Sequence, residues 1–150
     1  MSLSAQAQNC HTTSPWTNMP MQAISVYQVD ASLQLEARIA DESHERAAGY
    51  QWICADEAES SAVLFVFESE VNSSFHMRNV FVPLEIYFFD ASGQAVDQMV
   101  MRPEPPSFKG ARRYYHPKGA FKYALEIAQG SEYDLSTKLV PLQLLIETIH

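Results

Sequence analysis

The strongest constraint on this chain is a set of short β-type runs, six to eight residues each, set apart by turn chemistry. Leu33-Gln-Leu35-Glu-Ala37-Arg-Ile39 places apolar side chains at every second position, with Gln34, Glu36 and Arg38 on the other face. That period of two predicts a half-buried strand. Phe121–Ile127 repeats the pattern, with Phe121, Tyr123, Leu125 and Ile127 against Lys122, Ala124 and Glu126. Two further runs, 62–67 (AVLFVF) and 84–89 (LEIYFF), are apolar on both faces and too short for buried helices, so they read as interior strands. Asp90-Ala-Ser-Gly93 carries hairpin-turn residues, and 94–101 returns as the partner strand. Weaker strand signals lie at 23–29 and 142–149, with a short turn or helix expected at 131–135.

One helix is expected. Asp41 stands at its N-cap, Glu42 and Glu45 lie in the first turn, and Gly49 stops it. Residues 11–22, with Ser14-Pro15 and Met19-Pro20, read as an extended lead-in, and the acidic stretch 54–61 reads as a loop. At 150 residues the chain has room for one core, so the expectation is a mainly β (β-rich α+β), compact β-barrel-like single domain over 23–150, with one or two short helices and a tail over 1–22.

The tail bears on location. Met1-Ser2-Leu3 reads as an expression leader, and Ala5-Gln6-Ala7 matches the end of a secretory signal peptide whose charged and apolar regions are missing from the sequence. That reading makes the protein exported, periplasmic or secreted; the alternative is an ordinary polar tail. Cys10 and Cys54 would close a 44-residue loop if they paired in an oxidising compartment, and two unrelated cysteines are the alternative.

The segments together resemble a known family. They are Ile39-Ala40-Asp41, Glu45-Arg46-Ala47-Ala48-Gly49, Leu64-Phe65-Val66-Phe67 and Phe75-His76-Met77-Arg78-Asn79. Val82-Pro83-Leu84-Glu85-Ile86, Phe89-Asp90-Ala91-Ser92-Gly93 and Tyr123-Ala124-Leu125-Glu126-Ile127 before Gly130 complete the set. Over residues 33–130 this is similar to domain of unknown function family 192, small bacterial and archaeal proteins of which many are exported. The resemblance implies a compact β-barrel-like fold and transfers no reaction. Ala48 stands where the family usually has an arginine, and Tyr50-Gln51 stand where it has Leu-Met. Val80 replaces a common threonine, Glu85 the usual aspartate and Lys122 a common arginine. The end of the chain lacks the family's Gly-Asp close.

Charge is unevenly spread. The formal net charge is −8, yet residues 102–122 hold Arg102, Lys109, Arg112, Arg113, Lys118 and Lys122 against Glu104 alone. The acidic total argues against a nucleic-acid binder, and no apolar run is long enough to span a membrane. The same segment holds Phe108, Tyr114, Tyr115 and His116 among four prolines and two glycines, which makes a long loop. Guanidinium groups fork carboxylates and aromatic rings stack on sugar faces, so Lys109, Arg112, Arg113, Tyr114 and Tyr115 suit an acidic or sugar-like ligand. The alternative is that these cations dock the loop onto an acidic wall. His76, Asn79 and Glu85 form a second group, either the floor of a polar pocket or, for Asn79, a fixed point for the adjoining loop.

Enzyme readings are weaker. No nucleophile elbow, zinc-protease helix or phosphate loop is present, and Glu85, Asp90, Asp97 and Glu126 are candidate acids only by being acidic. The five histidines have no ligand spacing, and Met99 and Met101, which with Met77 and His76 suggest soft copper, share a strand face where core packing explains them. No metal or cofactor is expected. The expectation is an exported, non-catalytic binding or accessory module. The alternatives are a cell-envelope polysaccharide hydrolase using Glu85 or Asp97, and a structural partner of an envelope protein.

Overall fold

The computed structural model describes residues 9–28, 31–131 and 143–146. Seven strands form one sheet: β1 (Met21–Gln28), β2 (Ala31–Ala40), β3 (Ala62–Val71), β4 (Leu84–Phe89), β5 (Ala95–Met101), β6 (Phe121–Ala128) and β7 (Gln143–Ile146). Their order is β5-β4-β6-β3-β2-β1-β7. All pairs are antiparallel except β2–β3, where Ile39 lies opposite Leu64 in a parallel ladder. A parallel pair needs a crossover connection, and residues 41–61 supply it.

That crossover carries two short helices, α2 (Ser43–Ala48) and α3 (Ala55–Glu59); α1 (Ser14–Asn18) precedes the sheet. The cap of α2 is Glu42, one residue later than expected, because the Glu45 side chain accepts from the Asp41 and Glu42 amides and sets the first turn there. Residues 14–18 are helical, contrary to the extended lead-in expected. Thr13 caps the Trp16 amide, Pro15 suits the first turn, and burial of Trp16 and Met19 fixes the segment against the core. Residues 55–59, expected as loop, make a single helical turn that buries Ala58.

Strand alternation produces two cores, one per face. Ile24, Val26, Leu35, Ile39, Leu64, Tyr87, Leu125 and Leu144 converge on one side. Trp16, Tyr50, Phe65, Met77, Ile86, Phe88 and Phe121 pack with the helices on the other. Phe121 departs from the strict alternation expected of its strand. The β3–β6 register shifts between Val66 and Val71, which turns it into the helix-side core beside Ala124. Met77 and Met101 are fully buried and Met99 packs beside them, so the methionines are core.

The expected barrel is open. β5 and β7 are the two edges and do not pair; the Leu144 amide donates to the Gly93 carbonyl at 2.8 Å, joining β7 to the β4–β5 turn. In that turn Gly93 has φ +88° and Asp90 Oδ1 accepts from the Ser92 and Gln94 amides. The Ser92 hydroxyl and these amides hold the Asp90 carboxyl below its ordinary value. A disulfide joins Cys10 to Cys54 across 44 positions of sequence. The strand expected at 142–149 is described over 143–146, and the turn expected at 131–135 lies outside the described residues apart from Ser131. No described helix is long and apolar enough to cross a membrane.

Candidate functional site

A cleft of about 260 Å³ opens on the helix side of the sheet, between α2 with the turn that follows it, β3, and the segment 73–80. Gly49, with φ +47°, turns the chain at the end of α2 and brings it close over Phe65, where a Cβ would stand 3.2 Å from the ring. Tyr50 then points inward, fully buried, and its hydroxyl donates to the Ser61 carbonyl at 2.9 Å and the Glu126 carbonyl at 3.1 Å. Burial first, and then the Glu126 charge, push the Tyr50 phenol well up, so it stays a donor.

The cleft has an aromatic and aliphatic wall, with Gln51, Ser73, Ser74 and His76 polar at its edges and two ionisable groups of interest, Glu126 and Arg46. Phe65 and Phe75 meet edge to face at 5.3 Å, and Phe67, Met77, Val80 and Leu84 continue the lining. Glu126 lines the floor, 4% exposed, and burial pushes its carboxyl up to about 8, so it carries its proton at neutral pH. At the rim, Arg46 Nη1 donates to the Asp41 and Val66 carbonyls while its guanidinium lies 4.9 Å over the Phe67 ring. Ala48 is part of the lining.

His76 stands at the opposite rim. Its Nδ1 accepts from the Arg78 amide, which leaves the proton of the neutral ring on Nε2. Partial burial, Arg112 and Arg78 lower its pKa, against a smaller upward pull from Glu104. Its ring meets that of Tyr114 edge-on at 6.3 Å, so the cationic loop adjoins the cleft mouth.

That loop is fixed in place without regular structure. Phe75 and Tyr115 exchange backbone hydrogen bonds, the Tyr115 hydroxyl accepts from the Arg102 amide, and the backbone at Arg78 pairs in a parallel β-bridge with that at Glu104. Glu104 is 1% exposed; it pairs with Arg112 and accepts from the Arg113 amide at 3.1 Å. Arg112 therefore neutralises a buried carboxylate, which is the docking role weighed against ligand binding. Arg113 Nη1 lies 4.0 Å from Glu104 and its guanidinium stacks 5.6 Å from Phe108. Tyr114, at 64% exposure, and Lys109 face solvent.

Asn79 is a clamp. With φ +60° it donates through its amide to the Glu104 carbonyl, accepts from the Trp52 amide at its own carbonyl, and reaches Gln51 Oε1 at 3.2 Å with its side chain. Glu85 does not share a pocket floor with Asn79. It lies one residue from Leu84 on a strand, on the opposite face, where its carboxylate accepts the Tyr87 hydroxyl. Asp97 accepts the Gln98 and Lys118 amides and so serves the chain path. Sequence reasoning named Glu126 only as one acid among four and did not find the cleft. The available signal was an acid on the polar side of a strand whose neighbour on that side, Ala124, is small enough to lie under a helix.

Among the described residues no three His, Cys, Asp or Glu side chains are grouped to hold a metal ion. Comparison with curated proteins finds no match. The fold is similar to a crystal structure of a protein of unknown function from Novosphingobium aromaticivorans DSM 12444, with TM-score 0.68, 18% identity, and coverage of 91% of this chain and 90% of that one. It is also similar to a Sinorhizobium meliloti 1021 protein described provisionally as a transcription regulator, with TM-score 0.68, 17% identity, and coverage of 85% of this chain and 95% of that one. At those identities the likeness is one of fold. The family model described as DUF192, Uncharacterized ACR, matches residues 25–138, and the chain belongs to that family.

Proposed function

We propose that this protein is an exported, non-catalytic binding or accessory domain that takes an acidic, sugar-like ligand over the 102–122 loop and the neighbouring segment 75–79. The observation that carries the reading is a group of exposed cations on a pinned loop. Arg78, Arg102, Lys109 and Lys118 are exposed, and no acidic side chain pairs with them among the described residues. Tyr114 stands among them with its face open, backed by His76. Cations on a chain that cannot collapse onto its own acids are available to carboxylates, and an open phenol ring suits a sugar face. The Cys10–Cys54 disulfide supports an oxidising compartment.

The test is binding of oligogalacturonate and of a neutral oligosaccharide of equal length at low and high salt. The acidic sugar should bind and weaken with salt. The variant Arg102→Gln/Lys109→Gln/Lys118→Gln should lose about tenfold or more, and Tyr114→Ala several-fold. Absence of binding at low salt overturns the reading, as does dextran sulfate binding that equals the uronate and ignores Tyr114→Ala.

A further inference from the structure

The cleft has chemistry of its own, apart from the loop above it. Phe65, Phe67, Phe75, Met77, Val80 and Leu84 form an apolar wall that suits a compact apolar body, with polar side chains around it. At its floor the Glu126 carboxyl opens onto the cleft, with no side-chain hydrogen bond to it among the described residues. Burial keeps that carboxyl protonated at neutral pH, and an open O–H calls for an acceptor. At the rim, two backbone carbonyls and the Phe67 ring hold Arg46 in one orientation, and its Nη2 and Nε have no described partner. A guanidinium fixed in this way is preorganised for a carboxylate. The volume, about 260 Å³, lies just under that of pockets for drug-sized ligands.

We propose that the cleft binds a small aromatic or alicyclic carboxylate, with its carboxylate on Arg46 at the mouth, its ring among Phe65, Phe67 and Phe75, and an acceptor oxygen at its far end on Glu126. The three parts of the ligand follow from three separate features of the cleft. Ala48 lies in the lining at the end of α2, where a larger side chain would take up part of the volume.

The test uses 4-acetylbenzoate, 4-isopropylbenzoate, which has the same shape without the acceptor, and 4-methylacetophenone, which lacks the carboxylate, each titrated calorimetrically into the intact protein. The first should bind, and each of the others should be weaker by about tenfold or more, since each leaves a polar group of the site unmatched. Ala48→Phe should abolish binding by filling the cleft. Glu126→Leu should weaken it about tenfold, and Glu126→Gln, which keeps a donor, should restore it. Oligogalacturonate binding at the loop, unchanged in Ala48→Phe, reports that the variant is folded, so the two sites stand or fall separately. Where the loop binds no uronate, an unchanged unfolding midpoint serves as that control. Millimolar 4-acetylbenzoate that fails to bind, equal affinity for the isopropyl compound, or binding that survives Ala48→Phe overturns the proposal.

Discussion

Glu126 couples the stability of the protein to pH. Its carboxyl is held up to about 8 by burial, against an ordinary value of 4.5. Between those two values the unfolded chain releases a proton that the folded chain keeps. Stability is therefore full below about pH 4.5 and declines as pH rises through 8, by up to ~1.4 kcal/mol per pH unit from this group. Glu126→Gln keeps the shape and removes the titration. Urea unfolding across pH 4 to 9 should show the variant level with the parent at the acid end and more stable than it at pH 9. Parallel profiles would mean that the carboxyl ionises without cost.

At the scale of the element, the 102–122 loop is pinned by backbone hydrogen bonds to residues 75–79 and by an ion pair on the buried Glu104. Arg112→Met would take away the charge that faces the buried Glu104 carboxylate, leaving it the Arg113 amide and an exposed guanidinium at 4.0 Å, at a cost of about 3 kcal/mol, and Glu104→Met/Arg112→Met should recover most of it. Arg113→Gln should cost no more than about 1 kcal/mol, because its guanidinium is exposed and 4.0 Å from the carboxylate. Thermal unfolding of the three variants checks the order, and equal losses from the two arginines would contradict it. This pair also shows where sequence reasoning stops. The β runs were legible because period-two patterning is local, and the capped start of α2 was legible to within one residue. Of the six cations, Arg112 is the one paired closely with the buried Glu104, whose backbone bridges to that of Arg78, 26 positions away, a contact with no periodic signal. The cleft depends likewise on α2 folding back over β3 and β6. Residues 14–18 escaped for another reason: two prolines read as breakers, although Pro15 sits where a helix accepts one.

For the whole molecule, one open sheet with a core on each face leaves the first crossing of the chain to be secured. The disulfide does this, tying the segment before α1 to the start of α3. In the chain-entropy model, closing a loop of that length stabilises by about 4 kcal/mol. Cys10→Ser/Cys54→Ser should lower the unfolding midpoint by roughly 8–16 °C. An unchanged midpoint would show that burial of Trp16 and Met19 secures the segment unaided. The crossover between β2 and β3 has a further consequence. Residues 41–61 are both the connection that makes the parallel pairing possible and one wall of the cleft. Inserting or deleting a residue there would displace Gly49 from Phe65 and drag β3 against β2, losing fold and cleft together. Evolution on this scaffold is thereby steered away from loop growth, toward exchange of side chains at constant length.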